Sequence, residues 1–228
     1  MADITTITFE GDDSPGSEGA RIKQALDNAL AGEHKLSDDI VAIEGMSGQI
    51  YRRLINNLVA LTPDARYLET GSLKGSTVCS AMYKNKLTAT CIENFHWDYR
   101  DLFYKNTKSV LTDNIQFKHI ESDFRAVDYT NIGKYNIYMF DGPHEHTDQY
   151  DGVCIAQPAL DDTYILIVDD WNWSNVQNGT WDALRDLGYG LISKLEITTT
   201  DDHTYPKIAD HFSDWHNGYL LAVIDKNS

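Results

Sequence analysis

The chain has 228 residues, the size of one ordinary domain, with 42% apolar residues and a formal charge of −16. That charge repels a phosphate backbone or an anionic bilayer, so nucleic acid and membrane are excluded as expected partners and a small molecule is favoured. No apolar run nears the roughly 18 residues of a membrane span, and Cys79, Cys91 and Cys154 lack the close spacing of a zinc site or disulfide framework.

Residues 1–17 are polar and contain Gly11, Pro15 and Gly16, the composition of a flexible arm. Their start, MADITTITFEGDDSPGSEG, has neither the basic beginning nor the apolar centre of a signal peptide, and the expected location is cytoplasmic. Residues 18–62 read as a helical cap. Ile22, Ala25, Leu26, Ala29 and Leu30 follow helical spacing, and Ser37 before Asp38 and Asp39 marks the start of a second, short helix ending near Gly45. Met46, Ile50, Tyr51, Leu54, Ile55 and Leu58 form one face of a third. After Pro63 strands are expected at 66–69, 87–92, 115–120, 136–141 and 164–169, separated by stretches long enough for crossover helices. That alternation predicts a parallel sheet with helices on both faces. Residues 191–199 and 219–225 read as two strands without a helix between them, an antiparallel hairpin at one sheet edge.

Ligands of open α/β sheets bind beyond the carboxyl ends of the strands, so the residues that follow each apolar run are the candidates. The first run leads into Glu69-Thr70-Gly71-Ser72-Leu73-Lys74-Gly75-Ser76-Thr77, a Gly-x-x-x-Gly turn at a helix start. It matches neither the Walker spacing nor Gly-x-Gly-x-x-Gly, and a tight structural turn is an equal alternative. The second run ends at Glu93, placed to accept the hydroxyls of a ribose, and the third near Asp123, which either meets an adenine amino group or caps a helix. The fourth leads into Asp141-Gly142-Pro143-His144 and the fifth into Asp169-Asp170-Trp171. Three carboxylates at one mouth repel unless a proton or cation offsets them. An all-oxygen set suits Mg²⁺ or another hard divalent ion, while helix capping and solvation stand as the alternative.

Together these residues resemble the class I S-adenosylmethionine-dependent methyltransferases, most nearly the small-molecule O-methyltransferases of the macrocin and catechol type, over roughly residues 46–183. The resemblance implies a Rossmann-like sheet of seven strands, mostly parallel with an antiparallel last strand, and a cofactor-binding domain over residues 63–228. It implies that Glu69, Gly71, Ser72, Gly75 and Ser76 hold the methionine part of the cofactor, Glu93 the ribose and Asp123 the adenine, with Asp141 also bordering the cofactor. It further implies a divalent cation on Asp141, Asp169 and Asp170, and His144 as the base that takes the acceptor's proton. The first loop reads Glu-Thr-Gly-Ser where Glu-Ile-Gly is commoner. His146, Trp171 and Trp173 lie near the same strand ends and either stack on a planar ligand or pack under a loop. The segment from His203 through His211 to His216 fits no zinc spacing and reads as a loop over the site without a ligand role.

Two other readings stay open at this level. One is a methyltransferase-like protein that binds ligand without catalysis; the other, less favoured for want of a third glycine, is a nicotinamide-dependent oxidoreductase. The N-terminal helices either pack on their own domain or pair with a second chain as a homodimer.

Overall fold

The computed structural model describes residues 5–228. In chain order its elements are β1 (Thr6–Gly11), α1 (Glu18–Leu30), α2 (Asp38–Val41), α3 (Gln49–Leu61), β2 (Arg66–Thr70), α4 (Ser76–Met82), β3 (Leu87–Ile92), α5 (Arg100–Val110), β4 (Ile115–Ile120), β5 (Tyr135–Phe140), α6 (His146–Ile155), β6 (Leu160–Asp169), α7 (Ser174–Leu187), β7 (Gly190–Thr198) and β8 (Tyr219–Asp225). The strands form one sheet in the order β1-β7-β8-β6-β5-β2-β3-β4. Strands β2 to β6 run parallel, whereas β8 pairs antiparallel with both β6 and β7.

Three expectations need correction. The sheet has eight strands, not seven, because Thr6–Gly11, expected within a flexible arm, pairs antiparallel with β7 from Thr6↔Thr198 to Gly11↔Ser193. Ile7 and Phe9 alternate with Thr6, Thr8 and Glu10, and they pack on the core beside β7. The β7–β8 pair is consequently not at the sheet edge; β1 covers it. The second helix ends at Val41 rather than Gly45, and the third begins after Gly48, so Met46 lies in the connection between them.

Side-chain alternation along the central strands divides the core in two. Ile137, Met139, Ile165 and Ile167 face α1, α3, α4 and α5, joining Ile22, Leu54, Val78 and Phe103. Tyr138, Phe140, Leu166 and Val168 face α6 and α7, joining Val153, Val176 and Ala183. Helices α1 and α3 thus share the core of the sheet. Ser17 accepts a hydrogen bond from Ala20 N–H at 3.1 Å and starts α1. Tyr51 of α3 stacks on Tyr219 of β8, with ring centroids 3.6 Å apart, which ties that helix to the antiparallel strand. Among the described residues no helix is long and apolar enough to cross a membrane.

Chain order reverses between β2 and β5: β3 and β4 continue to one side, β5 and β6 to the other. Crevices in doubly wound sheets open at such a point. The register sets Thr70 opposite Ile92 and Phe140, and Phe140 opposite Val168. The next residues along each strand, Gly71, Glu93, Asp141 and Asp169, therefore emerge in one row.

Candidate active site

The turn after β2 is shaped by three residues in the left-handed region: Gly71 at φ +82°, Leu73 at +48° and Gly75 at +82°. A Cβ on Gly71 would lie 1.7 Å from the carbonyl oxygen of Asp141, so this position admits only glycine. Asp141 N–H in turn donates to Thr70 O at 2.9 Å, which locks the end of β5 against the turn. Glu93 holds the turn from the other side. Its Oε2 accepts from Ser72 and Leu73 N–H, both at 2.9 Å, and its Oε1 accepts from Phe95 N–H at 2.6 Å.

A cavity of about 530 Å³ opens above this row. Gly71, Ser72, Ser76 and Glu93 border it on one side, Asp141, His144 and Asp170 on the other, and Phe95, Trp97 and Tyr99 along its rim. The sequence-expected residues are thus largely brought together. Four are placed differently. Glu69 is fully enclosed beneath the turn, and Gly75 serves as the N-cap of α4. Asp169 is buried behind Asp170. Asp123 is exposed and caps the short 3-10 turn at Phe124–Ala126 by accepting Arg125 N–H at 2.8 Å, while its neighbours Ser122 and Phe124 line the cavity.

Burial dominates the acid chemistry. Enclosure pushes the Glu69 carboxyl up to about 7, against the downward pull of the hydrogen bond from Tyr67 O–H, and its Oε1 has no partner among the described residues. Asp141 and Asp169 are both held well above the ordinary carboxylate range, first by burial and then by repulsion within the cluster they form with Asp170. Among the described residues no lysine or arginine lines the cavity.

Asp170 has its own set of partners. It occupies the left-handed region at φ +57°, an uncommon conformation for a residue with a side chain. Its Oδ2 lies 3.1 Å from His144 Nδ1, and its Oδ1 accepts from Asn217 Nδ2 at 2.6 Å and faces His216 Nε2 at 3.7 Å. A proton on His144 Nδ1 directed at this carboxylate leaves the Nε2 lone pair free, the form a general base requires. His144 also meets Trp173 edge-on, with centroids 5.0 Å apart.

Asp169, Asp170 and His216 bring ligand atoms within 4.8 Å of one another. His216 Nδ1, however, accepts Asp210 N–H at 2.9 Å, so the neutral ring carries its proton on Nε2, the nitrogen facing Asp170. A nitrogen that carries its proton does not ligate a cation. Burial pulls the His216 pKa below its ordinary value, in keeping with the neutral ring. Asp141, expected from the sequence to share the ion, falls outside that group, although repulsion links it to Asp169 and Asp170 and a cation among the three would relieve it.

Sequence reasoning missed His216 and Asn217 as partners of Asp170, because the contact is made by a loop more than 40 residues downstream, and no local spacing signals it. It also missed a second depression of about 440 Å³ on the far side of His144, lined by Glu145, Trp173, Ser174, Asn175 and His203. His203 Nδ1 bonds Asn172 O at 2.9 Å.

The sequence matches no family model and no curated protein. Its three-dimensional structure does have counterparts. A putative caffeoyl-CoA O-methyltransferase from Staphylococcus aureus superposes with a TM-score of 0.58 at 14% identity, over 90% of this chain and 99% of that one. A putative RNA methyltransferase from Pyrococcus horikoshii gives 0.53 at 12% identity, over 90% and 97%. TrmN from Thermus thermophilus gives 0.52 at 12% identity over 82% of this chain, which spans 51% of that longer protein. The likeness establishes architecture: the chain has the fold of the S-adenosylmethionine-dependent methyltransferases, shared by structures named for caffeoyl-CoA and for RNA alike.

Proposed function

We propose that this chain transfers the methyl group of S-adenosylmethionine to a hydroxyl of a small molecule, with assistance from a divalent cation. The observation that carries the reading is one cavity bordered by the Gly71 turn and Glu93 at one side and by Asp141, His144 and Asp170 at the other. A sulfonium nucleoside suits it electrostatically, because the lining carries acidic side chains and, among the described residues, no lysine or arginine. Glu93 takes the ribose, Ser72 and Ser76 the amino-acid end, and Ser122 with Phe124 the adenine side, where Asp123 was expected from the sequence. Glu69 acts from beneath the turn as a source of negative potential. The formal charge of −16 favours a small acceptor over RNA.

Methyl transfer from a sulfonium is an in-line displacement whose thioether leaving group needs no acid. The protein's task is to align the acceptor oxygen with the methyl carbon at about 3 Å, and such positioning supplies roughly 7–11 kcal/mol. The depression beyond His144 offers room for the acceptor, with Trp173 as a planar wall. His144 Nε2 takes the hydroxyl proton, and Asp170 orients the ring and stabilises the resulting imidazolium. Asp141, Asp169 and Asp170 would hold Mg²⁺ or a similar ion, which supplies a lowered pKa for a hydroxyl bound to it.

Isothermal calorimetry with S-adenosylhomocysteine and with NAD separates this reading from the oxidoreductase alternative. Heat with the first and none with the second is expected; the reverse pattern defeats it.

A further inference from the structure

We propose that Arg52 is a positioning residue for the carboxylate of S-adenosylmethionine, acting through Ser47 and Ser76. The proposal rests on the cofactor reading above and adds to it the group that receives the ligand's negative end.

Arg52 lies in α3 with its side chain fully enclosed. Its Nη1 donates to Val41 O at 2.8 Å and Ile43 O at 2.6 Å, and its Nε donates to Ser47 Oγ at 2.9 Å. None of these acceptors is a carboxylate, and Nη2 has no partner. Burial lowers the guanidinium pKa to about 10, so the group is still charged at neutral pH. An enclosed charge without a counter-ion is rare, because hydrogen bonds to neutral acceptors offset its desolvation only in part.

The hydrogen bonds around it have a direction. Ser47 Oγ accepts from Arg52, which leaves the hydroxyl proton of Ser47 to be given on, and Ser76 Oγ lies 3.1 Å away. When Ser76 accepts that proton, its own hydroxyl is left to donate, and Ser76 lines the cavity. The relay therefore runs from Arg52 through Ser47 and Ser76 to an acceptor on the ligand. Gly45 makes the approach possible: a Cβ there would lie 2.1 Å from Ser76 Oγ and 3.4 Å from Arg52 Nη2, so both groups border the same small space.

Charge fixes which part of the ligand belongs here. The acidic residues lining the cavity are Glu93, Asp141 and Asp170, whose oxygens present negative potential to a ligand. They attract the sulfonium and the ammonium of the cofactor and repel its carboxylate. The Ser76 corner is the part of the lining backed by a buried cation.

The test compares two ligands that differ in the amino-acid end. S-adenosylhomocysteine carries the carboxylate; 5′-methylthioadenosine keeps the nucleoside and the thioether without it. Calorimetric Kd values are measured for both on the unaltered chain and on Ser47→Ala and Arg52→Met, with circular dichroism confirming the fold. Each variant is expected to bind S-adenosylhomocysteine at least tenfold more weakly and 5′-methylthioadenosine within twofold of the unaltered chain. Should Arg52→Met fail to fold, Ser47→Ala alone decides, since it leaves the guanidinium in place and breaks only the relay. Equal weakening of both ligands, or of neither, overturns the proposal and leaves the cofactor reading intact. Failure of the unaltered chain to bind either ligand overturns both.

Discussion

Glu69→Gln offers the sharpest test of the electrostatics beneath the turn. The carboxyl is wholly enclosed and its pKa is raised from 4.5 to about 7. In the unfolded chain it titrates near its ordinary value, so between pH 4.5 and 7 the folded state holds a proton that the unfolded state has released. Stability from this group is therefore present at low pH and is lost as pH rises through 7. Raising the pKa from 4.5 to about 7 corresponds to about 3 kcal/mol over the whole titration. Glutamine keeps the shape, accepts from Tyr67 O–H and cannot ionise. Urea unfolding of both proteins at pH 5 and pH 8 isolates the effect, since every other titrating group is common to them. The gap in unfolding free energy should move by about 2.5 kcal/mol toward Glu69→Gln between the two pH values, since part of the effect is already lost at pH 5, or roughly 5–10 °C in Tm. A gap that does not change with pH would refute the reasoning and mean that Glu69 finds a compensating charge.

Further outcomes follow from the same site. His144→Ala should lower the rate of methyl transfer by about 10²–10⁴-fold and leave the calorimetric Kd for S-adenosylhomocysteine within threefold, because the ring acts on the acceptor's proton; full turnover in the variant removes His144 from the chemistry. Asp169→Asn should raise Tm in the presence of chelator at pH 8, since it removes one of two mutually repelling buried carboxylates, and should abolish any Tm increase with Mg²⁺. An undiminished Mg²⁺ response in that variant would mean the ion binds elsewhere. Gly71→Ala should destabilise the fold by more than about 2 kcal/mol, because the added methyl meets Asp141 O at 1.7 Å on a left-handed backbone; an unchanged urea midpoint would contradict the turn geometry.

The parallel strands were legible because buried strands read as short apolar runs, and three of the five led into residues that border the cavity: Gly71 after β2, Glu93 after β3 and Asp141 after β5. What escaped did so for physical reasons. In β1 only Ile7 and Phe9 mark the inward face, too short a pattern to separate from a tail, and the strand exists because β7 offers it a ladder. The partners of Asp170 come from a distant loop whose path depends on the left-handed residues His203, Asp210 and His216. Arg52 sits beside Tyr51 and Leu54 on α3, where a charged residue ordinarily faces water; only the assembled fold shows it enclosed. Asp123 shows the opposite failure, a residue at the expected strand end whose side chain is turned to a capping role.

The row of acids makes sense only as half of an interaction. Three parallel strands deliver Glu69, Asp141 and Asp169 into an enclosed layer where all three carboxyls are raised, and each sacrifices folding stability as the pH rises past its displaced pKa. On the other side of the turn a guanidinium is enclosed without a counter-ion. A fold selected for stability alone would replace such groups with apolar residues of similar volume, commonly at a gain of 1–4 kcal/mol. On the function proposed above, a ligand carrying two positive centres and one negative, together with a divalent ion, would favour ionisation of these carboxyls and give the guanidinium its counter-charge. Stability forgone without that ligand would reappear as differential affinity for it, so Tm should rise more on joint addition of cofactor and Mg²⁺ than the two separate increments account for.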